Sequence, residues 1–146
     1  MHSHLKTALC CIIGIVALLC VSGNATAQEL TFPTDSCNVT YNMQIDIRNG
    51  YVSGFCMLVK EDNIVKSSIV NEFGVSIIDF TYDTKKDKVK LKYVMKALNK
   101  WYIKRVLKKD LKQIMYIMQQ GGNEHNNSAN NLHYKFSLIA NQETTD

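Results

Sequence analysis

The chain has 146 residues, of which 46% are hydrophobic, and a formal net charge of +4. This length suits one domain with a core of modest size and excludes a second domain. No repeat is visible along the sequence, which excludes an architecture built from repeated units.

The N-terminus has the pattern of an export signal. A short basic start is followed by a long apolar stretch, and small residues stand at Ala25 and Ala27. These three features are typical of a secretory signal peptide. We therefore predict a signal peptide over residues 1–27, cleavage before Gln28, and a single folded domain over residues 28–146.

Two alternatives to a cleaved signal remain open. The apolar stretch is shorter than the roughly 20 residues that cross a bilayer, but a membrane anchor is one alternative. The other is a lipoprotein anchored through Cys20, although Leu19 stands where a bacterial lipobox has a small residue.

Alternating apolar and polar residues predict five strands in succession. They lie over residues 37–48, 51–60, 64–71, 75–83 and 89–94. Asn49-Gly50 predicts a type I′ turn between the first two strands. Gly54 predicts a bulge or a close approach by another backbone. The short connections between the strands favour an antiparallel meander.

Outside the apolar leader the chain has two cysteines, Cys37 and Cys56. The predicted turn places Cys56 opposite Met43 or Gln44, about 20 Å from Cys37 along the strand. A disulfide needs Cα atoms within about 7 Å. We therefore expect two small buried side chains, and a disulfide is the alternative.

The apolar spacing changes after the fifth strand. Over residues 95–118 the apolar positions recur in steps of three and four, which predicts an amphipathic helix. Asn99 is a candidate N-cap, and Gly121-Gly122 predicts the C-terminal end. A polar loop over 121–131 and a sixth strand over 132–140 follow. The expected fold is α+β, with a curled antiparallel sheet packed on one long helix.

Positive charge is concentrated around the helix. Twelve of the 17 Lys and Arg residues lie between Lys85 and Lys112. A basic face beside Trp101 and Tyr102 can contact an anionic membrane surface. We expect no nucleic-acid partner, because an exported protein rarely meets nucleic acid. A solvated face that keeps the protein soluble is the alternative. The candidate headgroup-facing residues are Lys100, Lys104, Arg105 and Lys108.

No motif for catalysis or metal binding is present in the sequence. His125 and His133 are eight residues apart, and neither C-x-x-C nor H-x-x-H spacing occurs. Glu72 and Asp79 would point to opposite faces of a strand. We therefore predict a non-enzymatic protein without a metal or a cofactor.

Large apolar side chains are numerous, and methionines adapt to irregular partners. Such a set could line a lipid cavity between sheet and helix, or it could form a plain core. The candidate lining residues are Tyr41, Met43, Phe55, Met57, Ile78, Phe80, Tyr93, Trp101, Tyr102 and Met115.

Several short stretches resemble a group of small exported proteins of Gram-negative bacteria, and that group is similar in fold to the Lol-type lipoprotein carriers and their outer-membrane receptors. The resemblance covers residues 51–118. The stretches are Ser53-Gly54, Asn71-Glu72-Phe73-Gly74, Asp79-Phe80, Tyr93-Val94 and Leu98-Asn99-Lys100.

The resemblance implies an unclosed, strongly curved half-barrel with an apolar hollow for acyl chains and a basic helix near its mouth. The expected protein is then a periplasmic monomer that binds lipid or the acyl chains of a lipoprotein. The alternative is a small interaction or structural module of the cell envelope with a filled core and no ligand.

Overall fold

A computed structural model describes residues 32–35 and 37–143 of the protein. The predicted signal peptide and Cys20 lie outside these residues. Within them, no helix is both long enough and apolar enough to cross a membrane.

One curled antiparallel sheet carries one α-helix, so the predicted α+β class with a strongly curved sheet is confirmed. The strands are β1 (Cys37–Ile47), β2 (Gly50–Glu61), β3 (Ile64–Asn71), β4 (Ser76–Asp83), β5 (Lys88–Val94), β6 (Glu124–Asn127) and β7 (Leu132–Glu143). Their order across the sheet is β5-β4-β3-β2-β1-β7-β6. The first five form the predicted meander. The outermost strands, β5 and β6, are not paired with each other, which makes the described sheet a half-barrel.

The sheet has seven strands rather than the predicted six, because β6 lies inside the predicted polar loop. Its four residues pair only with β7, at the edge of the sheet. An edge strand needs no apolar alternation, so the sequence Glu-His-Asn-Asn carried no strand signal. A 3₁₀ turn over Ser128–Asn130 then leads back into β7.

The turn between β1 and β2 lies one residue earlier than predicted. Ile47 pairs with Gly50, so Arg48 and Asn49 are the turn residues. Neither has the positive φ that a type I′ turn requires, so the predicted turn type is wrong.

The shifted turn changes the position of the buried cysteine. Cys56 pairs with Tyr41 rather than with Met43 or Gln44. Both Cys37 and Cys56 are free thiols, as expected from their separation, but only Cys56 is buried as predicted, and Cys37 is partly buried. Burial raises the pKa of the Cys56 thiol to about 11, because the thiolate would lose its hydration.

Gly54 in β2 allows β3 to approach closely. A Cβ atom at this position would lie 2.1 Å from the carbonyl oxygen of Val70. The pairing of β2 with β3 begins at Gly54, opposite Asn71, and contains no bulge. The prediction of a close backbone approach at Gly54 is therefore confirmed, and the alternative, a bulge, is absent from this pairing.

The helix begins later than predicted. A 3₁₀ turn over Lys96–Leu98 precedes α1, which spans Trp101–Gln119. The Met95 N–H donates to the carbonyl of Ile77 at 2.9 Å, so residue 95 still extends the sheet. The N-cap is Lys100, whose side chain makes no capping hydrogen bond, and the prediction that Asn99 caps the helix is wrong.

Helix α1 ends where the Gly121-Gly122 pair predicted its C-terminal end. Gly121 has φ of +80°, a left-handed conformation that glycine adopts at little cost. Its N–H donates to the carbonyl of Met118, and the Gly122 N–H donates to the carbonyl of Ile117. This pair of bonds is a Schellman motif, which satisfies two of the last helical carbonyls.

Helix α1 crosses the open side of the half-barrel, with its backbone closest to β5 on one side and β6 on the other. The side chains of its C-terminal half complete the core with those of the concave sheet face. The buried core includes Val39, Tyr41, Leu58, Val65, Phe80, Tyr82, Val89, Leu111, Ile114, Met115 and Met118.

Candidate functional site

An apolar cavity of about 380 Å³ lies between the concave face of the sheet and α1. The sheet side of the lining is Met43, Ile45, Ile47, Val52, Ile69, Ile77, Ile78, Leu132, Tyr134 and Phe136. The helix side is Leu98, Tyr102, Ile103, Val106, Leu107, Leu111 and Ile114, and Asn130 adds the one amide. No charged side chain of the described residues lines this cavity.

The cavity arises because the two halves of α1 pack differently on the sheet. In the C-terminal half, Leu111, Ile114 and Met115 are fully buried. In the N-terminal half, the inward-facing side chains of Ile103 and Val106 are only partly buried. The space left between this half and the sheet is the cavity, and its walls are aliphatic on both sides.

The structure places three of the ten predicted lining residues in the cavity wall: Met43, Ile78 and Tyr102. Three others, Tyr41, Phe80 and Met115, are fully buried in the core beside the cavity and do not line it.

The remaining four predicted lining residues lie elsewhere, and we correct the prediction for them. Phe55 and Met57 belong to the convex face of β2, because their neighbours Cys56 and Leu58 are the residues buried on the concave face. Tyr93 and Trp101 are exposed, and the Trp101 side chain keeps 74% of its surface accessible.

The residues missed by sequence reasoning are mainly aliphatic. The candidate lining residues were chosen for the size and flexibility of their side chains. This choice favoured aromatic residues and methionine over Ile45, Ile69, Ile103 and Val106. The pairing of β1 with β2 was a better signal of which side chains face the helix. A two-residue turn places the even positions of β2 beside the odd positions of β1, which already excludes Phe55 from the face of β1 that holds Met43.

A polar cluster anchors α1 beside the cavity. The Asp110 carboxylate is fully buried and accepts hydrogen bonds from Asn127 Nδ2 at 2.8 and 2.9 Å and from the Tyr134 hydroxyl at 2.8 Å. Because Asn127 ends β6 and Tyr134 lies in β7, one carboxylate joins the helix to both strands. The aromatic ring of Tyr134 also forms part of the cavity wall.

His125 completes this cluster from β6. Its ring stacks on Tyr134 with the ring centroids 5.7 Å apart. Its buried Nε2 lies 3.6 Å from Asp110 Oδ1 and makes no hydrogen bond. Sequence reasoning missed this cluster, although Asp110 stands between Leu107 and Ile114 on the apolar face of the predicted helix.

The stability of the protein should fall as the pH rises above 10, partly because of Tyr134. Burial, and then its hydrogen bond to Asp110, raises the pKa of Tyr134 above its ordinary value of 10.0. Above that pH the unfolded chain releases a proton that the folded protein retains, so folding becomes less favourable. Urea unfolding from pH 8 to 11 should show a shallower decline for Tyr134→Phe than for the wild type.

The exposed Tyr116 on the outer face of α1 provides the control for that measurement. Tyr116→Phe should leave the pH dependence unchanged. An identical decline in the wild type and in Tyr134→Phe would contradict the assigned role of Tyr134.

Exposed apolar side chains surround the cavity end of the half-barrel. Ile47, Val52 and Tyr102 line the cavity and are each exposed over two-fifths or more of their surface. Trp101 at the start of α1 and Phe73 in the β3–β4 turn are more exposed than these three residues. Phe73 is exposed over 88% of its surface.

The four predicted headgroup-facing residues lie at the N-cap and in the first half of α1. Lys100 is the N-cap, Lys104 is partly buried in the first turn, and Arg105 and Lys108 are exposed. None of the four pairs with an acidic side chain of the described residues. The first turn of α1 contains no acidic residue, so positive charge stands at the positive end of the helix dipole.

Within the described part of the chain, no three His, Cys, Asp or Glu side chains converge as metal ligands would. The fold and the cavity together define a half-barrel closed by a helix, with an apolar chamber under the N-terminal half of that helix. No protein-family model matches the chain, and neither a curated protein nor a solved structure matches it.

Proposed function

We propose that the protein binds a lipid or the acyl chain of a lipidated protein in the cavity under α1. The observation that carries this proposal is the lining itself, which is built from aliphatic and aromatic side chains. An apolar cavity of several hundred Å³ falls in the size range of ligand sites, about 300–1,000 Å³.

Transfer of apolar surface from water supplies the binding free energy. Each methylene group buried in the cavity contributes about 0.8 kcal/mol. The walls need little rearrangement, because the C-terminal half of α1 and the polar cluster around Asp110 already fix the helix on the sheet.

An anionic headgroup would remain outside the cavity, since no charged side chain of the described residues is available inside. The N-terminus of α1 is a favourable place for it, because unpaired helical N–H groups and Lys100 favour negative charge. Arg105, three residues after Tyr102, is a neighbour on the helix surface. This arrangement also suits contact with an anionic membrane surface.

Affinity for fatty acids should rise with chain length until the cavity is full. From eight to twelve carbons we expect about a fourfold decrease in dissociation constant per methylene, which corresponds to 0.8 kcal/mol. The measurement is displacement of a fluorescent fatty acid from protein that has been purified and delipidated. Native mass spectrometry before delipidation should show lipid that co-purifies with the protein.

A matched pair of tryptophan variants tests where the ligand binds. Ile103→Trp fills the cavity and should weaken fatty-acid binding by about tenfold or more. Tyr116→Trp adds the same group to the exposed face of the same helix and should have no effect. Absence of fatty-acid uptake by the wild type would support the alternative, an interaction module without a ligand.

A further inference from the structure

We propose that the cavity accommodates one acyl chain and rejects ligands that must bury two chains. This inference rests on the proposed function and narrows it to single-chain anionic amphiphiles, such as a free fatty acid or a lysophospholipid. The volume of the cavity, the packing of α1 and the position of the rim cations support it.

The volume of the cavity suits about one hydrocarbon chain. Along the helix its lining runs from Tyr102 to Ile114, which is about 18 Å at 1.5 Å per residue. A volume of about 380 Å³ holds about 13 groups of the size of a water molecule or a methylene, at about 30 Å³ each. This corresponds to one hydrocarbon chain, whereas two chains of sixteen carbons would need about 960 Å³.

The cavity cannot widen without disruption of the core. Helix α1 is continuous over 19 residues, and its second half is buried against the sheet through Leu111, Ile114 and Met118. Lifting the first half by the width of another chain would also strain the hydrogen bonds to Asp110, which lies in the middle of the helix. A second chain would therefore stay in water or displace packed side chains.

The rim offers positive charge for one headgroup. Arg48 follows the exposed lining residue Ile47, and Arg105 is close to the exposed lining residue Tyr102 on the helix surface. The charged end of a fatty acid or a lysophospholipid can lie beside these arginines while its chain enters the cavity.

The test compares palmitate, palmitoyl-lysophosphatidylglycerol and dipalmitoylphosphatidylglycerol, each presented to delipidated protein from the same detergent. We expect one-to-one complexes with the two single-chain ligands and about tenfold weaker binding of the two-chain lipid, since overpacking opposes its entry. The tighter of the two single-chain ligands indicates whether the natural source is a free acid or a membrane lipid.

Binding of dipalmitoylphosphatidylglycerol within threefold of its lysolipid would overturn this inference and leave the proposed function intact. If none of the three ligands binds, the proposed function fails as well. The two failures are therefore distinguishable in one experiment.

Rim variants test the position of the headgroup independently. Arg48→Gln combined with Arg105→Gln should weaken palmitate binding about fivefold and leave uncharged monopalmitoylglycerol unaffected. The control is Lys85→Gln combined with Lys86→Gln, two exposed lysines in the β4–β5 turn at the opposite end of the sheet. An equal loss for palmitate and monopalmitoylglycerol would place the headgroup elsewhere and overturn the rim assignment.

Discussion

Gly54→Ala is expected to lower the free energy of unfolding by about 3 kcal/mol. The new Cβ atom would lie 2.1 Å from the Val70 carbonyl oxygen and 3.3 Å from the Asn71 Cα. Both neighbours are backbone atoms of β3, so relief requires the two strands to separate rather than a side chain to rotate. Urea unfolding measures the loss, and the melting temperature should fall by on the order of 10 °C.

Gly74→Ala separates this steric effect from the general cost of replacing a glycine. Gly74 has φ of +77° in the β3–β4 turn, and a Cβ atom added there would meet no other atom within 4 Å. Its replacement should cost about 1 kcal/mol, from backbone conformation alone. If Gly54→Ala proved no more costly than Gly74→Ala, close strand approach would not be the reason for glycine at position 54.

Asp110→Ala is expected to destabilise the protein by about 4 kcal/mol. The substitution leaves Asn127 Nδ2 and the Tyr134 hydroxyl without their acceptor. It also opens a small gap between α1 and the strands β6 and β7. Because a domain of this size is stable by about 5–15 kcal/mol in total, much of the stability depends on this carboxylate.

Two further variants establish the origin of that loss. Glu61→Ala removes an exposed carboxylate paired with Lys66 and should cost less than about 1 kcal/mol. In a double-mutant cycle, Asp110→Ala combined with Tyr134→Phe should cost less than the sum of the two single changes, because the same hydrogen bond is counted in both. Additive losses would show that Asp110 and Tyr134 act independently.

Much of the fold could be predicted from the sequence, because spacing encodes which face of an element is buried. Strict alternation in β1 and steps of three and four in α1 gave both elements and their buried sides. The sequence did not reveal β6, since a short edge strand buries few side chains. The start of α1 was also misplaced, because residue 95 is fixed by a hydrogen bond to Ile77, which is distant in the chain.

The candidate site could be predicted only in outline. Periodicity places Met43 and Ile78 on the inner face of the sheet but does not give the distance from that face to the helix. A cavity depends on that distance, which varies along α1 as the side chains change from Ile103 to Met115. For the same reason, the core residue Phe80 and the cavity residue Ile78 look alike in the sequence.

The position of β7 has a consequence for the order of folding. Strand β1 lies inside the sheet, between β2 and β7, and its second partner is 97 residues later, since Tyr41 pairs with Leu138. The early hairpins consist of local contacts and can form quickly, whereas closure of this long loop is slow. Until β7 arrives, β1 presents an open edge with an apolar face, which is a template for association with other chains. The newly made protein is therefore most exposed to aggregation in the interval before the last strand docks.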